Sequence, residues 1–233
     1  MKRLTKILAI LFISLLVLSG CGKKKEKVVE DPTPIDVNPI TDVEETKKEV
    51  DLTEKVTVED IGFVDGEKGA KYSVLKVMNR NSVPASVTVT IKYNTGDTED
   101  VTVIAGSNKY VYVVGKKAGT NENIESYEYT FNIKKEEFED YNSVYSAIVL
   151  NCSNSGTNLI MTIENNSMRK INANVIMFFY KDGNMVALKE ITETGIMSTD
   201  VKKDVVEFPL KNDTEKIPFD KVSVLLNEIH NEL

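Results

Sequence analysis

The residues able to do chemistry are few and scattered along the chain. His230 is the one histidine among 233 residues, so neither a Ser-His-Asp triad nor a multi-histidine metal centre can be assembled. Close to the end of the sequence, it reads as a solvated side chain. The two cysteines are Cys21 and Cys152. Cys152 ends the apolar run Val149-Leu150-Asn151-Cys152, with no neighbouring cation or histidine to favour a thiolate. It reads as a small, half-buried hydrophobe. Asp97-Thr98-Glu99-Asp100 gathers carboxylates after Gly96 but does not form the Asp ladder of a calcium loop. A solvated turn is expected there, with calcium as the alternative. Glu136, Glu137, Glu139 and Asp140 form a second acidic group, with a junction calcium as the alternative to a solvated face. In Lys109-Tyr110-Val111-Tyr112-Val113, valines and tyrosines alternate. If Val111 and Val113 face a core, Tyr110 and Tyr112 stand outward, a candidate surface for stacking on a sugar or anchoring a partner. Cover by a loop or a neighbouring strand is the alternative. No metal or cofactor is implied.

Other signals surround Cys21. Lys2, Arg3 and Lys6 precede a nearly unbroken apolar run from Ile7 to Leu18. That run has the length of a signal-peptide core and is short for a membrane-spanning helix. Small residues, Ser19 and Gly20, follow, and then Cys21. Leu18-Ser19-Gly20-Cys21 resembles the lipobox of bacterial lipoproteins. The resemblance implies that residues 1–20 are a signal peptide cut just before Cys21. It also implies that the Cys21 thiol carries a diacylglycerol, which would hold the protein on the outer side of a cell membrane. Each buried CH₂ contributes about 0.8 kcal/mol, so two acyl chains anchor firmly where one holds weakly. Lys23, Lys24, Lys25 and Lys27 stand where each basic side chain can add about 1 kcal/mol against anionic lipid.

The chain carries 29 basic and 36 acidic residues, a net charge of −7. Loss of Lys2, Arg3 and Lys6 with the signal leaves 26 basic residues and a net charge of −10. So acidic a surface disfavours nucleic acid as a partner. With Cys21 consumed by lipid, Cys152 has no partner for an internal disulfide, and packing must hold the fold.

Residues 21–50 read as the lipidated cysteine and a flexible tether. Charge runs and Pro32, Pro34 and Pro39 leave too few large apolar side chains to offset the entropy of ordering. The 29 residues from Gly22 to Val50 would reach roughly 30 Å as a coil. Beyond them the pattern becomes β. Val87, Val89, Ile91 and Tyr93 alternate with Ser86, Thr88, Thr90 and Lys92. Tyr127, Tyr129, Phe131 and Ile133 alternate likewise, as do Leu159, Met161 and Ile163. Short helical turns are expected at Lys134–Tyr141 and near Asn227–Leu233.

The chain also repeats itself. Val77-Met78-Asn79-Arg80-Asn81-Ser82 is echoed by Ile163-Glu164-Asn165-Asn166-Ser167. Ile91-Lys92-Tyr93-Asn94-Thr95-Gly96-Asp97 is echoed by Phe178-Phe179-Tyr180-Lys181-Asp182-Gly183-Asn184, each copy placing Gly where a tight hairpin wants positive φ. Ser126–Asn132 falls where Lys221–Asn227 falls in the second copy. Two all-β domains of immunoglobulin-like sandwich size follow, at residues 51–135 and 138–233. The second copy, over about residues 158 to 208, resembles the FxLYD-type domain. It does so through Ile163-x-Asn165-Asn166-Ser167, the strand Ile171 to Phe179, and Tyr180-Lys181-Asp182-Gly183-Asn184. The resemblance implies a small immunoglobulin-like sandwich on a bacterial surface lipoprotein and transfers no catalytic residue.

The expected protein is a non-catalytic surface lipoprotein whose two tandem sandwiches bind or space something in the cell envelope. Its candidate partners are the membrane, another envelope protein or a cell-wall glycan. A transport-associated ligand-binding lipoprotein is the first alternative, although two-lobed solute receptors need βαβ crossovers. A carboxylate-dependent envelope hydrolase is the second, and would need paired acids in a cleft.

Overall fold

The computed structural model describes residues 51–120 and 123–231. The signal peptide, Cys21 and the tether lie outside the described residues. Twelve strands form the body. In chain order they are β1 (Val56–Asp65), β2 (Lys71–Asn79), β3 (Ala85–Tyr93), β4 (Thr98–Ala105), β5 (Lys109–Gly115) and β6 (Tyr127–Lys135). A helix α1 (Tyr141–Ser146) follows, then β7 (Ile148–Asn154), β8 (Asn158–Asn165), β9 (Ile171–Lys181), β10 (Asn184–Ile196), β11 (Val201–Glu207) and β12 (Lys221–Asn231). The β-branched alternation works as expected in β3. Val87, Val89, Ile91 and Tyr93 are buried, while Ser86, Thr88 and Thr90 lie on the other face, partly exposed.

Each repeat folds into two three-stranded antiparallel sheets. The first pairs them as β1-β2-β5 and β4-β3-β6. The second pairs them as β7-β8-β11 and β10-β9-β12, the same order advanced by six strands. Val77, Val87, Ile91, Val111 and Val113 fill the core of the first sandwich. Met161, Ile163, Val175, Met177 and Phe179 fill that of the second. A third apolar layer lies between the sandwiches, where Val64, Val74 and Val114 of β1-β2-β5 and its margins meet Ile176, Phe178 and Leu188 of β9 and β10. The body is therefore four sheets deep, and β9 is buried on both faces. Val175 to Phe179 are each at most 1% exposed. A strand sandwiched on both sides carries a continuous apolar run, which is why β9 does not alternate.

The repeated Asn is the pin of each sandwich. At the turn from β2 to β3, Asn79 Nδ2 donates to the carbonyls of Val83 (2.9 Å), Ala105 (2.9 Å) and Gly106 (3.2 Å), and its Oδ1 accepts from Asn81 N–H (2.9 Å). At the turn from β8 to β9, Asn165 Nδ2 donates to Arg169 O (2.8 Å) and Ile196 O (2.9 Å), and its Oδ1 accepts from Ser167 N–H (3.0 Å). One buried amide thus ties the chain's crossing between sheets to the end of the following hairpin. Asn79 and Asn165 are both fully buried. The hairpin glycines also fit the repeat, with φ of +90° at Gly96 and +82° at Gly183.

The helical expectations need correction. Lys134 and Lys135 finish β6, and the helix comes later, at Tyr141–Ser146. Asn227–Asn231 continue β12, held by pairing with β9 from Leu226↔Val175 to Asn231↔Ile171. Cross-strand pairing there overrides weak local preference.

Asn79→Ala and Asn165→Ala should each cost about 1–3 kcal/mol, because each leaves buried carbonyls without a donor. Urea unfolding of the two variants is expected to show losses of similar size, whereas Asn132→Ala on the exposed face of β6 should change stability by less than about 0.5 kcal/mol.

Candidate functional site

The seam between the repeats is built on a problem of backbone chemistry. β4 and β5 are both edge strands, so each carries outward N–H and C=O groups that no sheet neighbour satisfies. The second repeat satisfies them. Asn227 Oδ1 accepts from Tyr112 N–H (2.7 Å), and Asn227 Nδ2 donates to Tyr112 O (2.9 Å). Glu228 Oε2 accepts from Ile104 N–H (2.8 Å), and the Tyr141 hydroxyl donates to Ile104 O (3.1 Å). The register of β12 shifts between Leu226 and Glu228, a bulge that turns Asn227 toward β5. Sequence reasoning did not single out Asn227, Glu228 or Tyr141. The usable signal was the pair Asn227-Glu228, which breaks the apolar alternation of Val222, Val224 and Leu226.

Tyr110 and Tyr112 do point away from the core of the first sandwich, since Val111 and Val113 are buried within it. Their shared exposure is not observed. The Tyr112 ring packs edge-on against Phe178 of the second repeat, with centroids 4.7 Å apart, and burial pushes its hydroxyl up to about 12. Tyr110 is 44% exposed, edge-on to Tyr112 at 5.8 Å, with Lys76 Nζ 5.0 Å from its ring centroid. The outward face of β5 had an occupant within the same chain, which strand alternation cannot reveal.

The acidic groups are engaged as structural acceptors. Glu99 accepts from the backbone N–H groups of Lys116 and Lys117 (2.9 and 3.0 Å) and from the Tyr93 hydroxyl (3.1 Å). Asp100 accepts from Thr90 Oγ1 at 2.6 Å. Glu136 caps the turn at Glu137 and Phe138, and Asp140 takes the Arg169 guanidinium through two oxygens (3.0 and 3.1 Å). Among the described residues, no group of three or more His, Cys, Asp and Glu is placed to hold a metal ion.

A cleft of about 500 Å³ opens between the repeats, beside Tyr72 and Leu188. Its charges are largely spoken for. Lys116 pairs with Glu190 (2.7 Å), and this hydrogen bond raises the lysine's pKa. Lys189 pairs with Glu67 (2.7 Å) and donates to the Glu207 carbonyl (2.7 Å). These bridges lace the repeats together at the opposite end of β5 from Tyr110. His230 is half-exposed and lies 3.3 Å from the Glu228 carboxylate, whose hydrogen bond raises the imidazole's pKa. Cys152 is a free thiol, half-buried, and burial pushes its pKa up, which disfavours the thiolate.

The fold is thus all-β, two immunoglobulin-like sandwiches in one body. No protein-family model matches the chain, and no curated protein matches it. Among solved structures, it is similar to a chain from a chaperone–tip adhesin complex of CFA/I fimbriae biogenesis. That similarity has 16% identity and a TM-score of 0.19, and covers 77% of this chain and 98% of the other. Among the described residues, no helix is long and apolar enough to cross a membrane.

Two outcomes follow from the seam. Tyr112→Ala should destabilise the protein by about 3 kcal/mol, near the lower end for truncating a packed aromatic. Tyr110→Ala should cost about 1 kcal/mol or less, the worth of an exposed ring contact. Thermal denaturation of the two variants separates these. His230 gives a pH signature. Its raised pKa in the fold means that its contribution is full below the unfolded value of about 6.5 and fades as pH rises through the folded value. The stability advantage of the unmodified chain over His230→Gln should therefore be largest near pH 5.5 and absent near pH 8.5, as read by urea titration at each pH.

Proposed function

We propose that this protein is a membrane-anchored surface lipoprotein that presents a rigid, non-catalytic binding or spacing module in the cell envelope. The lipid anchor is Cys21, the tether is residues 22–50, and the module is the double sandwich. The observation that carries this reading is the order of parts. A basic segment, an apolar run and Leu18-Ser19-Gly20-Cys21 precede a polar, proline-bearing stretch, which is followed by the β-patterned sequence. The stapled seam adds support, because a body locked through Asn227, Glu228 and Tyr141 holds its surfaces at fixed spacing rather than as two beads on a string. The likeness of residues 158–208 to FxLYD-type domains fits the same setting. The partner class proposed is another envelope protein, and the membrane itself through lipid.

The anchor reading is tested by fractionating cells that express the chain. The unmodified protein should sediment with membranes, resist salt extraction and be released by detergent. Cys21→Ala should accumulate as a larger precursor without acyl label. Normal processing and acylation of Cys21→Ala would sink the assignment.

A further inference from the structure

The two sandwiches close the same edge differently. In the first, β6 and β1 lie at the same open side, at the edges of their sheets. Aromatic side chains seal it. The Tyr127 ring stands edge-on to Phe63 at 5.1 Å, its hydroxyl donates to Asp60, and the Tyr129 hydroxyl donates to Val58 O (3.3 Å). In the second sandwich, β12 and β7 take these places. Val222 pairs with Phe179 as Tyr127 pairs with Tyr93, and Val224 pairs with Met177 as Tyr129 pairs with Ile91. Two valines thus stand where two tyrosines stand in the first copy. The space they leave is a groove of about 370 Å³, with Leu150, Cys152, Leu159, Phe219, Val222 and Val224 among its walls.

The strands bordering this groove keep unpaired backbone. β12 is the edge of β10-β9-β12, and β7 is the edge of its own sheet. Helix α1 covers only the far end of β12. The Tyr145 hydroxyl donates to Leu226 O, and the Tyr141 hydroxyl accepts from Ile229 N–H (3.4 Å). Among the described residues, no such cap reaches Lys221–Leu225. A bare strand edge beside a groove that sets apolar side chains among Ser153, Asn154 and Asp220 is the form of site that an extended peptide enters. Main-chain bonds extend the sheet, and alternate side chains drop into the groove. The remaining side chains of an added strand would continue the apolar layer at the seam, against which Leu225 and Tyr112 both pack.

We propose that the β7/β12 edge is a docking site for an extended segment of a partner protein. The segment is four or so residues long, pairs with Lys221–Leu225, and sends Val- or Leu-sized side chains at alternate positions into the groove. This deepens the binding-module reading and rests on it. Its test does not depend on acylation, so failure here and failure of the anchor are separable.

The probe is a heptapeptide of alternating Thr and Val between terminal Lys residues, compared with the same composition with its valines adjacent. The full chain carrying Cys21→Ser, which carries no acyl anchor, is kept in mild detergent solution, where Cys152 is the remaining thiol. The alternating peptide should slow maleimide labelling of Cys152 by about tenfold once it stands about ten times above its dissociation constant. It should also slow hydrogen exchange at residues 221–225. Val222→Tyr/Val224→Tyr, which installs the seal of the first sandwich, should keep or raise the melting temperature and abolish both effects. If that variant does not fold, Leu150→Trp fills the groove from the β7 side and should do the same. Three results would overturn the proposal. They are no protection at millimolar peptide, equal protection by the peptide with adjacent valines, and protection that grows with protein concentration alone, which would assign the groove to a second copy of this chain.

Discussion

The architecture depends on how the outward backbone groups of β4 and β5 are satisfied. An edge strand taken out of water with unpaired N–H and C=O groups costs about 1–3 kcal/mol for each group left bare. Here Asn227 meets both groups of Tyr112, while Glu228 and Tyr141 divide those of Ile104. Each contact crosses from the first repeat to the linker helix or to the last strand. The cheapest state for the first sandwich is therefore the one in which the second is docked. That docking also removes two edges from which unwanted strand pairing would start.

Once the seam is fixed, the apolar layer between the sandwiches follows. Val74 and Val114 meet Ile176, Phe178 and Leu188 only if β1-β2-β5 lies flat on β10-β9-β12. The Lys116–Glu190 and Lys189–Glu67 bridges then close the other end of the contact. Partly exposed pairs of this kind add little energy individually, and their contribution is to orientation. Glu228 has a double task, since it accepts from Ile104 with one oxygen and faces His230 with the other. The protonation of one half-exposed histidine is thereby coupled to the joint that holds the repeats together.

The chain carries two copies of one sandwich, and their differences lie where the copies meet other things. The buried Asn at the sheet crossing is kept in both, because any sandwich of this strand order leaves the same carbonyls to satisfy. The β6 edge carries tyrosines, and the β12 edge carries valines. The outer face of β9 is apolar because it is covered. The outer face of its counterpart β3 is lined with Ser86, Thr88 and Thr90, a surface that water can face.

Much of this was legible in the residues themselves. Period-two runs such as Val87 to Tyr93 set strands and their buried faces, since side chains alternate across a sheet whatever its neighbours are. The repeated Asn and the Gly of each hairpin marked the tandem copies, because those positions answer to local backbone demands. The anchor at Cys21 remains a proposal that rests on the lipobox resemblance of Leu18-Ser19-Gly20-Cys21, outside the described residues. What the sequence could not express was which outward face would be covered. Tyr110 and Tyr112 are the same residue type on the same face of one strand, yet one remains 44% exposed while the other packs on Phe178. Likewise, Asn227 and Glu228 read as the polar start of a terminal helical turn until β9, β4 and β5 arrive beside them. Burial of an outward face is a property of distant segments brought together, and only the tertiary structure decides it.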